Sequence, residues 1–244
     1  MRVALADVPW PLPKHPHTRD EAQLVQTLRT FHVVRGRPGE IVARRGRLEI
    51  IFRKVEPHRA AVLFRRGELD EAPVPLGDIR AALADETVKG AVRVTHLDAV
   101  DTVLAKQLPT RLLNVLSRTA DRRSYALLVP EDLHLAMPSP PARVFRNARR
   151  DIPRLPHVQV RLAVHGDATL RYGASLLVAS WRDLGLDVRI SAKDPHAVFT
   201  RRAAPGAIAV ARAVDARFVS PRVSGWRESA DGVVDYARVR VRSG

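Results

Sequence analysis

The feature that most constrains the fold of this chain is a strand–helix–strand pattern in its second half. Val158–Val164 alternates apolar and polar side chains, which is typical of a β-strand with one buried face. Leu170–Leu184 predicts a helix, because its large apolar side chains recur on one side, and Gly185 follows as a C-terminal cap. Leu186–Ile190 returns as a second strand. This pattern predicts a parallel βαβ crossover and therefore an α/β fold.

The other segments predict further helices and strands along the whole chain. Thr18 and Glu21 have the spacing of a capping box, so a helix is expected to begin there and to run to about Thr30. The apolar side of the Leu170–Leu184 helix is predicted to hold Tyr172, Leu176, Leu177, Ser180, Trp181 and Leu184. Other helices are expected at His58–Arg66, Asp78–Leu83, Arg111–Ser117, Arg122–Leu128 and Ala142–Arg150. Other strands are expected at 40–42, Leu48–Val55, Ala91–Leu97, 208–211 and Tyr236–Arg242.

The composition is that of an ordinary folded chain. The sequence has 244 residues, of which 45% are hydrophobic and 27% are charged. No run approaches the roughly 20 apolar residues of a membrane span. The absence of cysteine excludes disulfides, cysteine zinc sites and thiol nucleophiles. Asp7 and Pro9 interrupt the short apolar run near Met1, so no export signal is predicted there.

Arginine gives the chain a large positive charge. Lys and Arg number 41 against 26 Asp and Glu, for a formal net charge of +15. A nucleic-acid binder usually concentrates its charge on one stripe and interleaves aromatic side chains. Here the basic residues are spread from Arg2 to Arg242 and only 5% of residues are aromatic. We expect a solvated basic surface with weak, salt-dependent affinity for polyanions, and keep a nucleic-acid-associated binding protein as the alternative function.

The sequence contains none of the common catalytic or nucleotide-binding motifs. Gly-rich phosphate loops, the GxSxG elbow and the HExxH zinc motif do not occur. His15 and His17 stand among prolines without an acidic partner, which favours loop histidines over a metal site. Glu68, Asp70 and Glu71 lie on an extended segment, where adjacent side chains point to opposite faces. We therefore expect no metal, no cofactor and no enzymatic activity.

Several segments, taken in order, resemble the extracellular solute-binding proteins of ABC transporters, family 5, the dipeptide and oligopeptide type. Leu48–Val55 followed by Ala60–Asp70 resembles that family's strand, helix and GEID turn. The βαβ pattern is similar to its strand, helix and Gly-led return strand. The remaining similar segments are Asp7–Leu24, Pro109–Tyr125, 225–227 and Val234–Val239.

The resemblance implies an α/β, two-lobed, type II periplasmic-binding-protein-like architecture with mixed sheets. The outer lobe is expected to comprise residues 1–110 and 219–244, and the inner lobe residues 111–218. Members of the family are about twice as long, and the missing stretch falls between Val42 and Leu48, so a reduced first lobe is expected. The family's export signal and lipobox cysteine are not visible in this sequence.

The resemblance also implies a ligand site. In the family, an Asp beside aromatic side chains holds the amino terminus of a bound peptide. The matching position here is Asp215, although Ala216 stands where the family has an aromatic residue. Arg217, Tyr125 and Trp181 complete the expected site. The alternative for Asp215 is a structural ion pair with Arg212 or Arg217.

The implied function is that of a solute-binding component that delivers peptides or related small solutes to an ABC permease. The expected partners are that ligand and the permease, with no specific nucleic acid. The protein is expected to be a monomer, not to span the membrane and to work outside the cytoplasm. A truncated or degenerate member that keeps the fold without a ligand site is a third possibility.

Overall fold

The structure is a computed structural model that describes residues 1–120, 141–155, 159–165, 168–201 and 204–242. The predicted helix Arg122–Leu128, with Tyr125, lies outside these residues. The chain divides into two compact units, and the first unit comprises Met1–Leu97 and Val214–Gly244. The second unit comprises Asp98–Ala213. The lobe boundaries predicted from the sequence, after residues 110 and 218, lie later in the chain than these two divisions.

Helices and strands are interspersed along the chain, as expected of an α/β protein. The helices are α1 Arg19–Thr27, α2 Pro57–Arg65, α3 Ile79–Ala84, α4 Thr110–Arg118, α5 Ala142–Asp151 and α6 Ala168–Asp183. The strands of the first half are β1 Arg2–Leu5, β2 His32–Arg37, β3 Glu40–Arg45, β4 Leu48–Lys54, β5 Glu71–Pro73 and β6 Val92–Ala105. Those of the second half are β7 Val160–Val164, β8 Val188–Ile190, β9 Ala197–Thr200, β10 Ile208–Val219, β11 Val223–Ser224 and β12 Arg240–Val241. No helix among the described residues is long and apolar enough to cross a membrane.

The first unit is built on a mixed sheet whose strand order is β2-β3-β4-β1-β5-β10. Two antiparallel hairpins join β2 to β3 and β3 to β4. Strand β1 runs parallel to both β4 and β5, with Val3 opposite Phe52 and Glu71. Strand β10 runs antiparallel to β5, with Val219 opposite Glu71. This sheet therefore combines strands that lie far apart in the sequence, from β1 to β10.

Helix α1 begins as its sequence predicts. The Thr18 hydroxyl accepts a hydrogen bond from the Glu21 N–H, and the Glu21 carboxylate accepts one from the Thr18 N–H at 3.1 Å. This reciprocal pairing confirms the capping box, which supplies partners for N–H groups that a helix start leaves unpaired. The helix buries Gln23, Leu24 and Thr27, so its inward face is partly polar.

The apolar core of the first unit brings together side chains from β1, α1, β3 and β4 and from the C-terminal segment. Its buried members are Val3, Leu5, Val8, Leu24, Phe31, Ile41, Ala43, Ile50, Phe52, Val234, Tyr236 and Val239. The half-buried indole of Trp10 covers Gly36 of β2. A Cβ at position 36 would lie 2.4 Å from the Trp10 ring, so only glycine permits this close packing.

The second unit contains strands β6, β9, β7 and β8 in that order. Strand β7 is parallel to both β8 and β9, and β6 is antiparallel to β9. The parallel β7–β8 pair around α6 confirms the predicted βαβ crossover. The buried side of α6 carries Leu170, Ala174, Leu177, Val178 and Trp181.

Part of the predicted apolar side of α6 was wrong. Tyr172 is 43% exposed, whereas the small Ala174 is fully buried. The prediction assigned the buried face of α6 mainly from its large side chains. The small side chain of Ala174 also lies in the core. A buried surface is defined by close packing and does not require each contributing side chain to be large.

The predicted terminal strand Tyr236–Arg242 was also wrong in its first half. Tyr236–Arg238 forms a turn of 3₁₀ helix, and only Arg240–Val241 pairs as β12, with β11. The carboxylate of Asp235 accepts a hydrogen bond from the Ala237 N–H and so caps this turn. The alternating pattern Ala-Arg-Val-Arg-Val is typical of a strand, but the cap and the burial of Tyr236 override it.

Candidate functional site

The structure brings together two of the predicted site residues, Asp215 and Arg217. Both lie on β10, two positions apart, so their side chains project from the same face of the strand. The Arg217 Nε donates to Asp215 Oδ2 at 3.0 Å. Trp181 lies in the core of the second unit at 1% exposure, and its indole N–H has no hydrogen-bond partner among the described residues. Tyr125 lies outside the described residues.

Asp215 and Arg217 belong to a buried ion cluster, which we define as Arg19, Glu71, Asp215, Arg217 and Glu228. All five residues are in the first unit. Helix α1 supplies Arg19, β5 supplies Glu71, β10 supplies two members, and the C-terminal segment supplies Glu228. The cluster joins parts of the chain that are far apart in sequence.

Arg217 occupies the centre of the cluster and is only 1% exposed. Its Nη1 donates to Glu71 Oε1 at 2.7 Å, in addition to the bond from its Nε to Asp215. Burial by itself disfavours a charged guanidinium, but the carboxylates of Glu71 and Asp215 outweigh it and raise the pKa of Arg217 well above its ordinary value. Arg217 therefore remains a buried cation.

Glu71 has hydrogen-bond donors on both of its carboxylate oxygens. Arg217 donates to Oε1, while the Trp226 indole N–H and the Tyr236 hydroxyl donate to Oε2 at 2.9 and 2.8 Å. Burial, followed by the charge of Glu71, raises the pKa of Tyr236 well above its ordinary value, so the phenol stays a donor. These three bonds stabilise an ionised Glu71 in the interior.

Arg19 and Glu228 close the other side of the cluster. The Arg19 Nη2 lies 2.7 Å from Asp215 Oδ2 and also contacts Glu228 Oε1. The side chain of Glu228 is fully buried, and its Oε2 has no hydrogen-bond partner among the described residues. Burial, and then the negative charge of Asp215, raises the pKa of Glu228 to about 7.

The charges of the cluster do not balance when every member is ionised. Three carboxylates face two guanidinium groups, which leaves one negative charge in excess. A buried charge without a partner is costly, so the cluster favours the uptake of one positive charge. That charge is either a proton or a cationic group of a ligand.

A second ion group lies next to the buried ion cluster in sequence but has different partners. The Asp70 carboxylate accepts from the Arg2 N–H at 2.7 Å and from the Arg222 guanidinium at 2.8 Å. Asp70 and Glu71 therefore serve separate sets of donors, as expected for adjacent residues of an extended segment. Both carboxylates are buried.

The sequence did not identify Arg19, Glu71 or Glu228 as site residues. In the sequence, Glu71 stands out only as part of an acidic stretch, and no motif relates Arg19 to Glu228. No group of three or more side chains suited to a metal ion occurs among the described residues. A cavity of about 330 Å³ lies beside Tyr236, and its lining includes Arg29, Phe31 and Asp235.

Neither the family models nor the curated proteins compared with this sequence give a match. Solved structures do match its fold. The chain is similar to the peptide-binding pheromone receptor PrgZ, with a TM-score of 0.68 and 11% identity over 88% of this chain and 64% of that one. A periplasmic oligopeptide-binding protein, OppAIV of Borrelia burgdorferi, gives a TM-score of 0.69 and 9% identity over 87% and 64%. NikA of Staphylococcus aureus, solved with Ni(L-His)2, gives 0.63 and 9% over 87% and 68%.

These similarities confirm the predicted fold class. The chain has the α/β fold of type II periplasmic binding proteins, with mixed sheets, and two of these three structures are named for peptide or oligopeptide binding. The chain spans about 64% of the length of the first of these structures. The expectation that the first lobe accounts for the difference stays a prediction.

Proposed function

We propose that this chain is the solute-binding component of an ABC transporter and that it binds peptides or related small solutes. The observation that carries this proposal is the fold, which extends over 87–88% of the chain in the similar structures. Two of those structures are named for peptide or oligopeptide binding, and the third holds a nickel–histidine complex. The fold thus supports small polar cargo and leaves the particular solute open.

A binding role rather than catalysis is supported by two observations. Two of the similar structures are named for peptide or oligopeptide binding, and the third holds a bound nickel–histidine complex. The sequence contains none of the common catalytic motifs. We further propose an ABC permease as the partner, a location outside the cytoplasm and a monomeric state. The nucleic-acid-associated alternative is not proposed, because Arg19 and Arg217 serve internal ion pairs and none of the three similar structures is named for nucleic acid.

For the ligand site we propose that Asp215 receives a cationic group of the cargo, such as the amino terminus of a peptide. The buried ion cluster supports this role because it holds one carboxylate more than its guanidinium groups can neutralise. Arg19 and Arg217 already contact the Asp215 carboxylate and would share it with the ligand. The assignments of Tyr125 and Trp181 to a ligand site stay predictions of the resemblance.

Isothermal titration calorimetry tests the function directly. We expect the purified chain to bind members of a dipeptide and tripeptide panel, and to bind the same peptides at least about tenfold more weakly when their amino termini are acetylated, because a charge-assisted bond is then lost. D215N should produce a similar loss. The matched control, D183N, changes an exposed Asp of α6 and should leave binding unchanged.

The outcomes separate the function from the site. Absence of heat with every peptide and with Ni(L-His)2 contradicts the solute-binding role of this chain. Binding that is equally tight in D215N, or equally tight for acetylated peptides, contradicts Asp215 as the ligand group and leaves solute binding itself intact.

A further inference from the structure

The three carboxylates of the buried ion cluster are not equally satisfied. Glu71 accepts three hydrogen bonds and Asp215 contacts two guanidinium groups. Glu228 contacts the Arg19 guanidinium through Oε1, and its nearest approach to Arg217 is 3.9 Å. Its Oε2 is buried without a partner among the described residues. Of the three, Glu228 is therefore the carboxylate that the surroundings stabilise least as an anion.

Three charged groups face Glu228 within the part of the chain that the structure describes. Arg19 faces it from α1, and Asp215 and Arg217 face it from β10. Glu71 of β5 and Tyr236 lie behind Arg217 and are bonded to each other. With a proton on Glu228, two carboxylates face two guanidinium groups and the cluster is neutral. The direction of the Glu228 pKa, which is raised by burial and by Asp215, agrees with this balance.

Glu228 also begins a short hairpin, Glu228–Val234, which we call the C-terminal hairpin. A β-bridge pairs its two end residues, and the Ser229 N–H donates to the Val233 carbonyl at 2.9 Å. The hairpin is fastened to α1 at two points. The Gln23 side chain exchanges two hydrogen bonds with the Val234 backbone, at 2.7 and 2.9 Å, and the Arg19 Nε donates to the Gly232 carbonyl.

We propose that the C-terminal hairpin is a pH-dependent latch on α1 that binds a proton at Glu228 when closed and releases it when open. With the proton present, the hairpin lies over a neutral cluster and keeps all its bonds to Arg19 and Gln23. Without it, Glu228 is a second anion beside Asp215 in the interior. Moving the hairpin outward then brings the carboxylate into water, which offsets the bonds that are lost.

The sign of the effect follows from proton linkage. In water, an opened Glu228 ionises near pH 4.5, whereas in the closed cluster it keeps its proton to about pH 7. Opening therefore releases a proton between these values, so the opening equilibrium rises with pH across this window and levels off above about pH 7. The latch is tightest in acid and loosest above neutral pH. A cationic group at Asp215 would compete with this proton for the one excess negative charge, so the test is made without ligand.

Hydrogen exchange followed by mass spectrometry tests the latch on the full chain without ligand. A peptide covering residues 226–236 is monitored at several pH values from 5 to 8, with rates corrected for intrinsic exchange. In the wild type, its protection should fall by about tenfold per pH unit up to about pH 7, in total about 100-fold from pH 5, and then stay level. A peptide covering β7 of the second unit should show no such trend.

Two substitutions and one control decide the assignment. E228Q cannot ionise, so the protection of the hairpin should become independent of pH. D215N removes the facing anion, so an ionised Glu228 gains two guanidinium partners and the slope should become shallower than in the wild type, although burial of Glu228 remains. This variant tests the proposal even if E228Q fails to fold. E49Q changes a surface carboxylate and should keep the wild-type trend. A flat wild-type profile, a slope that persists in E228Q, or a slope in D215N as steep as that of the wild type overturns the proposal.

Discussion

The two units of this chain bury different kinds of side chain. In the first unit, the interior contains Asp70, Glu71, Asp215 and Arg217 together with an apolar cluster. In the second, the buried residues among those described are almost all apolar, with Asp101 as the charged exception, and Asp101 pairs with Arg201 at 3.2 Å. The stability of the first unit should therefore fall most when a single buried charge is removed. The stability of the second unit should fall most when a buried apolar side chain is shortened.

Removing the central cation should have the largest effect. R217M leaves Glu71, Asp215 and Glu228 buried with only Arg19 to balance them, and breaking a buried ion pair from one side costs about 3–5 kcal/mol. We expect this loss in the free energy of unfolding of the first unit, measured as reduced hydrogen-exchange protection of β1, β4 and β5.

The control is R212M, the same substitution at an exposed position of the same strand. It should change stability by no more than about 0.5 kcal/mol. An R217M protein as stable as R212M would show that the buried ion cluster is not required to hold the first unit together.

Shortening a core side chain of α6 should have the next largest effect, this time in the second unit. Leu177 is fully buried, and L177A removes its packing and leaves a cavity, at a cost of about 3 kcal/mol. The loss should appear in the hydrogen-exchange protection of β7 and α6. Y172A, which truncates an exposed apolar residue of the same helix, should cost much less. Equal effects of the two substitutions would contradict the buried face assigned to α6.

The smallest expected effect tests a local signal in the first unit. T18A removes the hydroxyl that accepts from the Glu21 N–H, and loss of such a cap costs about 1 kcal/mol. Urea unfolding measures this difference, and T18S should restore most of it. If T18A unfolds at the same urea concentration as the wild type, the capping box contributes no measurable stabilisation.

Two patterns formed by residues close together in the sequence predicted the structure correctly. The capping box of α1 and the crossover around α6 depend on neighbours in sequence, so their residues predicted them. The long strands β6 and β10 exceeded their predicted lengths, because apolar alternation alone did not show where pairing would continue. At Tyr236, a cap from Asp235 outweighed an alternating pattern that was equally local.

The candidate site was only partly accessible to sequence. Asp215 and Arg217 are two positions apart on one strand, so their pairing was among the alternatives considered. Glu71 meets Arg217 across 146 residues of sequence, and Arg19 meets Glu228 across 209. Contacts between residues so far apart in sequence depend on the tertiary fold. No local pattern in a single sequence indicates them. Trp181, which was also predicted to belong to the ligand site, lies on the buried side of α6 and is 1% exposed.

The discontinuity of the first unit has a consequence for synthesis. Arg19 is synthesised long before its partners Asp215 and Glu228. Residues 98–213 form the second unit and are all made before the returning segment. During translation the second unit can therefore fold first. Glu71 cannot form its ion pair until Arg217 has been synthesised. The ion pairs of Arg19 and Glu71 form only after Asp215, Arg217 and Glu228 have been made, so the first unit cannot be completed before the second unit has been synthesised.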